Sequence, residues 1–290
     1  MSPAALALLA ALTLLAVSYI WRWIAVQRTR TSTRVAPGLA HTLTGFVTNF
    51  FDTLGVGSFA PTTSIFKLLH LVPDERIPGT LNTGHALPTI VQALIFIAVV
   101  SVDPLTLVLM IAAAVAGAWI GAGAVARLPR RAIQLGMGAA LLAAATLFVL
   151  ANLHWIPAGA DALELRGGLL AVAVAGNFLL GALMTLGVGL YAPCLILVSL
   201  LGMNPIAAFP IMMGSCAFLM PVAGVRFIAA GSYDLRAAIG LAAGGVPGVL
   251  IAAFIVRQLP LTWLRWLVVL VVLYAAVAML RTAWIERHAG

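Results

Sequence analysis

Thr53-Leu54-Gly55-Val56-Gly57-Ser58-Phe59-Ala60-Pro61 returns later in the chain as Thr185-Leu186-Gly187-Val188-Gly189-Leu190-Tyr191-Ala192-Pro193. The offset from Gly55 to Gly187 is 132 positions, and it persists on both sides of the motif. Leu68-Leu69-His70-Leu71-Val72-Pro73 pairs with Leu200-Leu201-Gly202-Met203-Asn204-Pro205, Pro78 with Pro210, and Asn82-Thr83 with Gly214-Ser215. Leu128-Pro129 falls on Leu259-Pro260 after a drift of one residue. A glycine-broken apolar segment in corresponding places of two halves is the sequence mark of a transporter built from repeats. In that architecture the breaks mark the binding site.

Composition sets the solvent. The chain has 290 residues, of which 63% are hydrophobic and 8% charged, and a mean hydropathy of +1.13. Soluble domains average about 25% charged residues, so lipid must cover most of this surface. The formal charge of +8 sits in short clusters between apolar runs, as the positive-inside rule expects. No sustained basic face is present, which excludes a nucleic-acid partner. Cys194 and Cys216 lie inside apolar segments without metal or redox spacing, and read as small buried residues. No metal and no cofactor is expected. There is no Walker loop, HExxH or GxSxG, so the expectation is a transporter with no catalytic residues rather than an enzyme.

The segment from Ser2 to Ile20 is apolar for longer than the roughly 7–15 residues of a signal core, with no positive region before it. Arg22, Arg28, Arg30 and Arg34 follow, which predicts a retained helix with its N-terminus outside. The organisation read from the chain is an N-terminal transmembrane helix over 1–26 and a basic cytoplasmic segment over 27–38. Repeat 1 follows over 39–152, then a linker over 153–166 and repeat 2 over 167–285.

Within repeat 1, Leu43 to Gly57 would span roughly 22 Å as helix and Pro61 to Leu71 roughly 16 Å, against a hydrocarbon core of about 30 Å. These pieces read as two arms of a re-entrant hairpin, each second arm starting at its proline, Pro61 or Pro193. Three spans follow at about Pro78–Val100, Pro104–Ala126 and Ala132–Leu150. In repeat 2 the arms are about Leu169–Gly189 and Pro193–Leu201, and the first is long enough to span alone. The later spans are about Pro205–Ala230, Leu235–Val256 and Leu261–Trp284. The fold class is therefore all-α and polytopic: two inverted repeats, each with a broken-helix hairpin and three spans, plus one N-terminal helix. This arrangement keeps Arg127, Arg130 and Arg131 inside, where a single crossing of each broken segment would put them outside.

Each hairpin tip presents the amide end of one short helix beside the carbonyl end of another. Backbone broken at membrane depth persists only where it lines a cavity or is buried in protein. A helix N-terminus favours anions, and the amides of Thr62, Thr63, Cys194 and Leu195 are the expected cradle. The alternative is that the breaks only allow tight helix packing. The candidate binding residues are Gly55, Gly57, Ser58, Thr62, Thr63, Asn82 and Thr83, with Gly187, Gly189, Tyr191, Cys194, Ser215 and Cys216 from the second copy. Pro88 frees the carbonyl of Gly84. Asp52 and His85 are the candidate proton-coupling groups, with a structural role for His85 as the alternative. Lys67 is expected to reach the inner face by its long stem. Asp52 maps to Met184 and His85 to Ala217, so any proton effect belongs to the first repeat.

The tandem breaks Gly55-Val56-Gly57…Pro61 and Gly187-Val188-Gly189…Pro193 lie in a four-segment unit repeated twice. Each unit ends in glycine-rich helices before Leu-Pro: Gly117…Gly121…Leu128-Pro129 and Gly244…Gly248…Leu259-Pro260. In this the chain resembles the sulfite exporter TauE/SafE family, also called the toluene sulfonate uptake permease family, over about Leu39 to Arg281. The resemblance implies a prokaryotic inner-membrane carrier of sulfite, an organosulfonate or a related sulfur oxyanion, bound between the two tips. Membrane lipid is its surroundings and a homodimer a candidate assembly. An anion channel with the same site, or a membrane factor handling a sulfur compound through Cys194, are the alternatives. The family often runs to a third glycine where this chain has Ser58 and Leu190, and the string Asn49, Asp52 and His85 is richer in polar groups than the family pattern.

Overall fold

The structure is a computed structural model. It describes residues 2–30, 35–125, 135, 138–139, 141–143, 145–146, 149–150, 152–153, 162–184, 190–258 and 261–288. Among these, every regular element is helical, and a single isolated bridge joins Ala162 to Met203. The helices are α1 (Pro3–Arg30), α2 (Leu39–Thr53), α3 (Phe59–Leu68), α4 (Ile77–Gly84), α5 (Ala86–Val99), α6 (Pro104–Val125), α7 (Gly167–Met184), α8 (Tyr191–Leu200), α9 (Ala208–Ala230), α10 (Leu235–Gln258) and α11 (Leu261–His288). Short 3-10 turns at Asp74–Arg76 and Pro205–Ala207 lead into α4 and α9. The described positions from 135 to 152 are helical as well. The expected span Ala132–Leu150 falls only partly on them, while Arg127, Arg130, Arg131 and both Leu-Pro pairs lie outside the described residues.

Five stretches among the described residues are long and apolar enough to cross a membrane: Pro3–Thr29, Ile77–Val99, Gly167–Met184, Pro205–Ala230 and Leu235–Ile255. At about 1.5 Å per residue each covers at least about 27 Å. α2 and α3, with 15 and 10 residues, reach only about 22 Å and about 15 Å, as the break between them predicts. α8 repeats α3 in length, and both begin 132 positions apart at Phe59 and Tyr191.

The starts of these two helices differ from the expectation. Each begins two residues ahead of its proline, so Pro61 and Pro193 sit inside the first turn rather than opening it. Proline is tolerated throughout that turn, where its missing N–H has no intrahelical partner to lose. A second difference separates the halves. Pro88 cannot bond the carbonyl of Gly84, and the helix parts at His85 into α4 and α5. In the second half α9 runs unbroken through Pro221.

The chain forms two compact units, each drawing on both halves of the sequence. The first comprises residues 1–53, 57–99 and 216–255. Its apolar core holds Phe66, Val72, Ile77, Leu81, Ala237 and Leu241. Here α2 lies directly on α10 across glycines one turn apart. A Cβ on Gly244 would stand 1.9 Å from the Thr42 carbonyl oxygen, and one on Gly248 2.4 Å from that of Phe46. Gly45 answers from α2, where a Cβ would come within 2.5 Å of the Leu241 carbonyl. Backbones this close gain dispersion contacts that larger side chains forbid.

The second unit comprises residues 54–56, 100–215 and 256–290. In it α6 and α7 repeat the device: a Cβ on Gly117 would stand 1.9 Å from the Phe178 carbonyl oxygen, and one on Gly181 2.0 Å from that of Ala114. Asp103 caps α6, its carboxylate accepting from the Thr106 amide at 2.9 Å. Arg166 pairs with Asp103 at 2.9 Å, and the Leu165 amide donates to the Thr106 hydroxyl at 3.1 Å. Burial raises the Asp103 carboxyl, but the Thr106 amide and hydroxyl and the Arg166 guanidinium outweigh it and hold the group below the usual carboxylate range.

Candidate functional site

The first break is where polar side chains gather. α2 carries Asn49, Asp52 and Thr53 at spacings of three and four, which places them on one helical face. His85, at the parted junction of α4 and α5, and Gln92, two turns further along α5, meet them. Thr62 enters from the first turn of α3. Every one of these side chains is buried, at 2% exposure or less.

His85 joins three elements. Asn49 Nδ2 donates to the Gly45 carbonyl oxygen at 2.7 Å, and the same amide group meets His85 Nδ1, 2.9 Å from Nδ2 and 3.2 Å from Oδ1. His85 Nε2 lies 3.0 Å from Thr62 Oγ1, a hydroxyl that can donate to the ring nitrogen or accept from it. Phe59 lies near the imidazole, ring centroids 6.0 Å apart.

Asp52 is held separately. Gln92 Nε2 donates to its Oδ2 at 2.8 Å and to Thr53 Oγ1 at 2.9 Å, while Thr53 Oγ1 donates to the Asn49 carbonyl at 2.8 Å. Ser58, at the N-cap position of α3, makes no capping bond with its side chain. It turns its hydroxyl and backbone amide to the Asp52 carboxyl group instead. Asp52 and His85 thus belong to one polar cluster, linked through Asn49, Thr53 and Gln92. In an apolar interior each of these groups would cost several kcal/mol if left unpaired.

The tip itself is shaped by two glycines. Gly55 and Gly57 have φ of +100° and +86°, a region that L side chains avoid. A Cβ on Gly57 would meet nothing within 4 Å, so backbone conformation rather than crowding demands glycine there. The expected amide cradle is rearranged, because α3 and α8 begin early. The Thr62 amide bonds the Ser58 carbonyl at 3.0 Å and the Cys194 amide the Leu190 carbonyl at 2.9 Å. The amides left at the start of α3 belong to Phe59 and Ala60, since Pro61 has none. Thr62 therefore brings its hydroxyl to the cluster, not its N–H.

The remaining expected residues fall in several places. Thr63 is half-buried beyond the first turn of α3. Asn82 is half-buried and donates to the Pro78 carbonyl at 2.9 Å, which keeps it out of the cluster. Thr83 is buried, and its hydroxyl has no hydrogen-bond partner; its carbonyl accepts the Tyr19 hydroxyl at 2.9 Å. Gly187 and Gly189 lie outside the described residues. Tyr191, Cys194 and Cys216 are buried. Ser215 donates to the Ile211 carbonyl at 2.7 Å and lies 3.2 Å from Asn177 Nδ2. Lys67 is exposed near the end of α3.

Asn49, Gln92 and Asn177 were not among the expected site residues. Helical spacing of Asn49 from Asp52, and of Gln92 from His85, was the signal for the first two. Asn177 is fully buried, donates to the Met110 carbonyl at 2.7 Å, and leaves its Oδ1 without a partner. It stands 132 positions after Gly45, and Gly181 stands 132 after Asn49, so the glycine and the amide exchange places between the halves. No group of three or more His, Cys, Asp or Glu side chains is placed to hold a metal ion among the described residues.

No curated protein matches the chain, and no solved structure does. The family described as sulfite exporter TauE/SafE matches residues 1–148, just over half of the 290. The chain is a multi-pass membrane protein that belongs to the sulfite exporter TauE/SafE family, a transporter and not an enzyme.

Proposed function

We propose that the protein is a secondary carrier of a small sulfur-containing anion, sulfite or an organosulfonate. It works by alternating access, with the anion held by the Gly-x-Gly…Pro tips of the two halves. The observation that carries this reading is the buried polar cluster at the first break, in a chain of this family. The Thr83 hydroxyl is buried without a hydrogen-bond partner, and a buried group with unmet hydrogen-bonding capacity asks for an explanation. A sulfur oxyanion, with several acceptor oxygens, supplies one. The positive φ at Gly55 and Gly57 allows a ligand to approach the backbone.

Two inverted repeats, 39–152 and 167–285, with re-entrant hairpins and one additional N-terminal helix, are the architecture of this proposal. Support comes from the exchanged glycine packing: α10 of the second half receives α2 of the first, and α6 of the first receives α7 of the second. On the positive-inside rule the N-terminus is outside; the inner membrane of a prokaryote is the location proposed from the family, and a homodimer is the assembly proposed. From the second half, Gly187, Gly189, Tyr191, Cys194, Ser215 and Cys216 complete the site.

A thermal-shift screen of purified protein against sulfite, sulfate, thiosulfate, taurine, sulfoacetate and aromatic sulfonates tests the substrate class. Stabilisation by sulfite or a sulfonate, and none by sulfate, is the expected result. In proteoliposomes, saturable counterflow distinguishes the carrier from a channel with the same site, which would show none. No stabilisation by any of these anions would remove the reading.

A further inference from the structure

The donors gathered at the first break already hold a carboxyl group, and it is the protein's own. Gln92 Nε2 reaches Asp52 Oδ2 at 2.8 Å, and Ser58 adds its hydroxyl and backbone amide. Ser58 gives up helix capping in this arrangement. Donors converge on the carboxyl group, which fits an anion and is the wrong polarity for a metal cation, whose ligands must be acceptors. The carboxyl group is 2% exposed, and no basic side chain is among the groups acting on it.

Among the described residues, the titratable groups near Asp52 are few. His85, from the α4–α5 junction, touches Asn49 and Thr62 and stands one side chain away. On α2 itself His41 lies about three turns from Asp52. From α3, Lys67 is exposed near the far end of that helix. From α10, Arg236 lies beside Gly38, at the opposite end of α2. A proton is thus the partner that can cancel the charge where the group sits.

We propose that Asp52 is a tethered competitor of the transported anion. Ionised, it occupies the Gln92 and Ser58 donors at the first tip. Protonated, it becomes neutral and releases them, so the anion enters together with one proton, bound at Asp52. This rests on the anion-site reading above and adds its regulation and its coupling ion. The second half has Met184 at the equivalent position, so the control is one-sided.

The test uses the full chain in detergent with methanesulfonate, an anion whose own charge does not change over the range examined. For the wild type, affinity falls by about tenfold or more between about pH 5.5 and about pH 8, since one coupled proton contributes up to tenfold per pH unit. Asp52→Asn binds at about pH 8 at least as tightly as the wild type at about pH 5.5, and its affinity changes by less than about twofold across the range. In weakly buffered solution at about pH 8 the wild type and His85→Gln take up about one proton per anion bound. Asp52→Asn takes up none. The proton-uptake arm on wild type and His85→Gln stands by itself if Asp52→Asn does not fold. Binding with no pH dependence and no proton uptake overturns the competitor and leaves the anion site. Uptake lost in His85→Gln and kept in Asp52→Asn assigns the proton to the histidine and also overturns it. Absence of methanesulfonate binding at every pH overturns the anion-site reading, and this proposal with it.

Discussion

At the scale of single residues, His85 is the pivot of the cluster. Its two ring nitrogens meet Asn49 and Thr62, all three side chains fully buried. His85→Leu leaves both partners facing an apolar side chain, and each unmet buried group costs about 1–3 kcal/mol. A fall in the thermal midpoint is expected for His85→Leu, with His85→Gln much closer to wild type because its amide can both donate and accept. Equal midpoints for the two variants would show that the bonds contribute little. Thr62 is expected to separate size from polarity in binding: Thr62→Ser keeps the hydroxyl and most of the affinity, whereas Thr62→Leu abolishes anion-induced stabilisation in a folded protein. Gly57 gives a third measurement. Its φ is positive and the space beside it is open, so Gly57→Ala costs about 1–2 kcal/mol through backbone conformation. Gly57→Asn should cost less, because asparagine tolerates that region.

At the scale of helices, glycine rather than hydrophobicity decides which ones meet closely. Apolar faces are everywhere in this chain and discriminate little. A valine at Gly244 would drive Cβ into the Thr42 carbonyl, so Gly244→Val is expected to abolish folded protein in size-exclusion chromatography. Gly168, near the start of α7, has nothing within 4 Å of its Cβ position, and Gly168→Ala serves as the neutral control. The cap of α6 is a separate and smaller effect. Asp103→Ala removes the acceptor for the Thr106 amide and costs about 1 kcal/mol, as lost N-caps do. The Asp103 carboxyl is held below its usual range in the folded protein. Its contribution is therefore complete above the ordinary carboxylate range and is lost as pH falls through the lowered value. The stability difference between wild type and Asp103→Ala should shrink on acidification and stay level above neutrality.

At the scale of the whole molecule, the proposed inversion of the repeats makes a prediction that needs no ligand. Cysteines introduced beside Arg130 and at Ala160 should label from opposite faces of the membrane in sealed cells, the first only from the cytoplasm. Labelling of the Arg130 site from outside would replace the re-entrant hairpins by full crossings. Both compact units draw on both halves of the sequence, and in each a helix whose glycines fit a partner from the other half packs closely on it, whatever their separation along the chain.

Residue order alone determined the class of solvent, the helical composition and the position of the first break. Each is set by local chemistry: apolar runs longer than a membrane is thick, and glycines with a proline four residues on. The spans Pro78–Val100, Pro205–Ala230 and Leu235–Val256 fall within a residue or two of their observed bounds for that reason. Tertiary structure decided which polar groups meet. Asn49 and Gln92 lie in separate helices, and only the packing of α2 against α5 brings Gln92 to Asp52. It also moved the starts of α3 and α8 ahead of their prolines, turning Thr62 from a backbone donor into a hydroxyl held by His85. A hydrogen bond between distant residues depends on a few tenths of an ångström in three dimensions, and spacing along one chain does not carry that information.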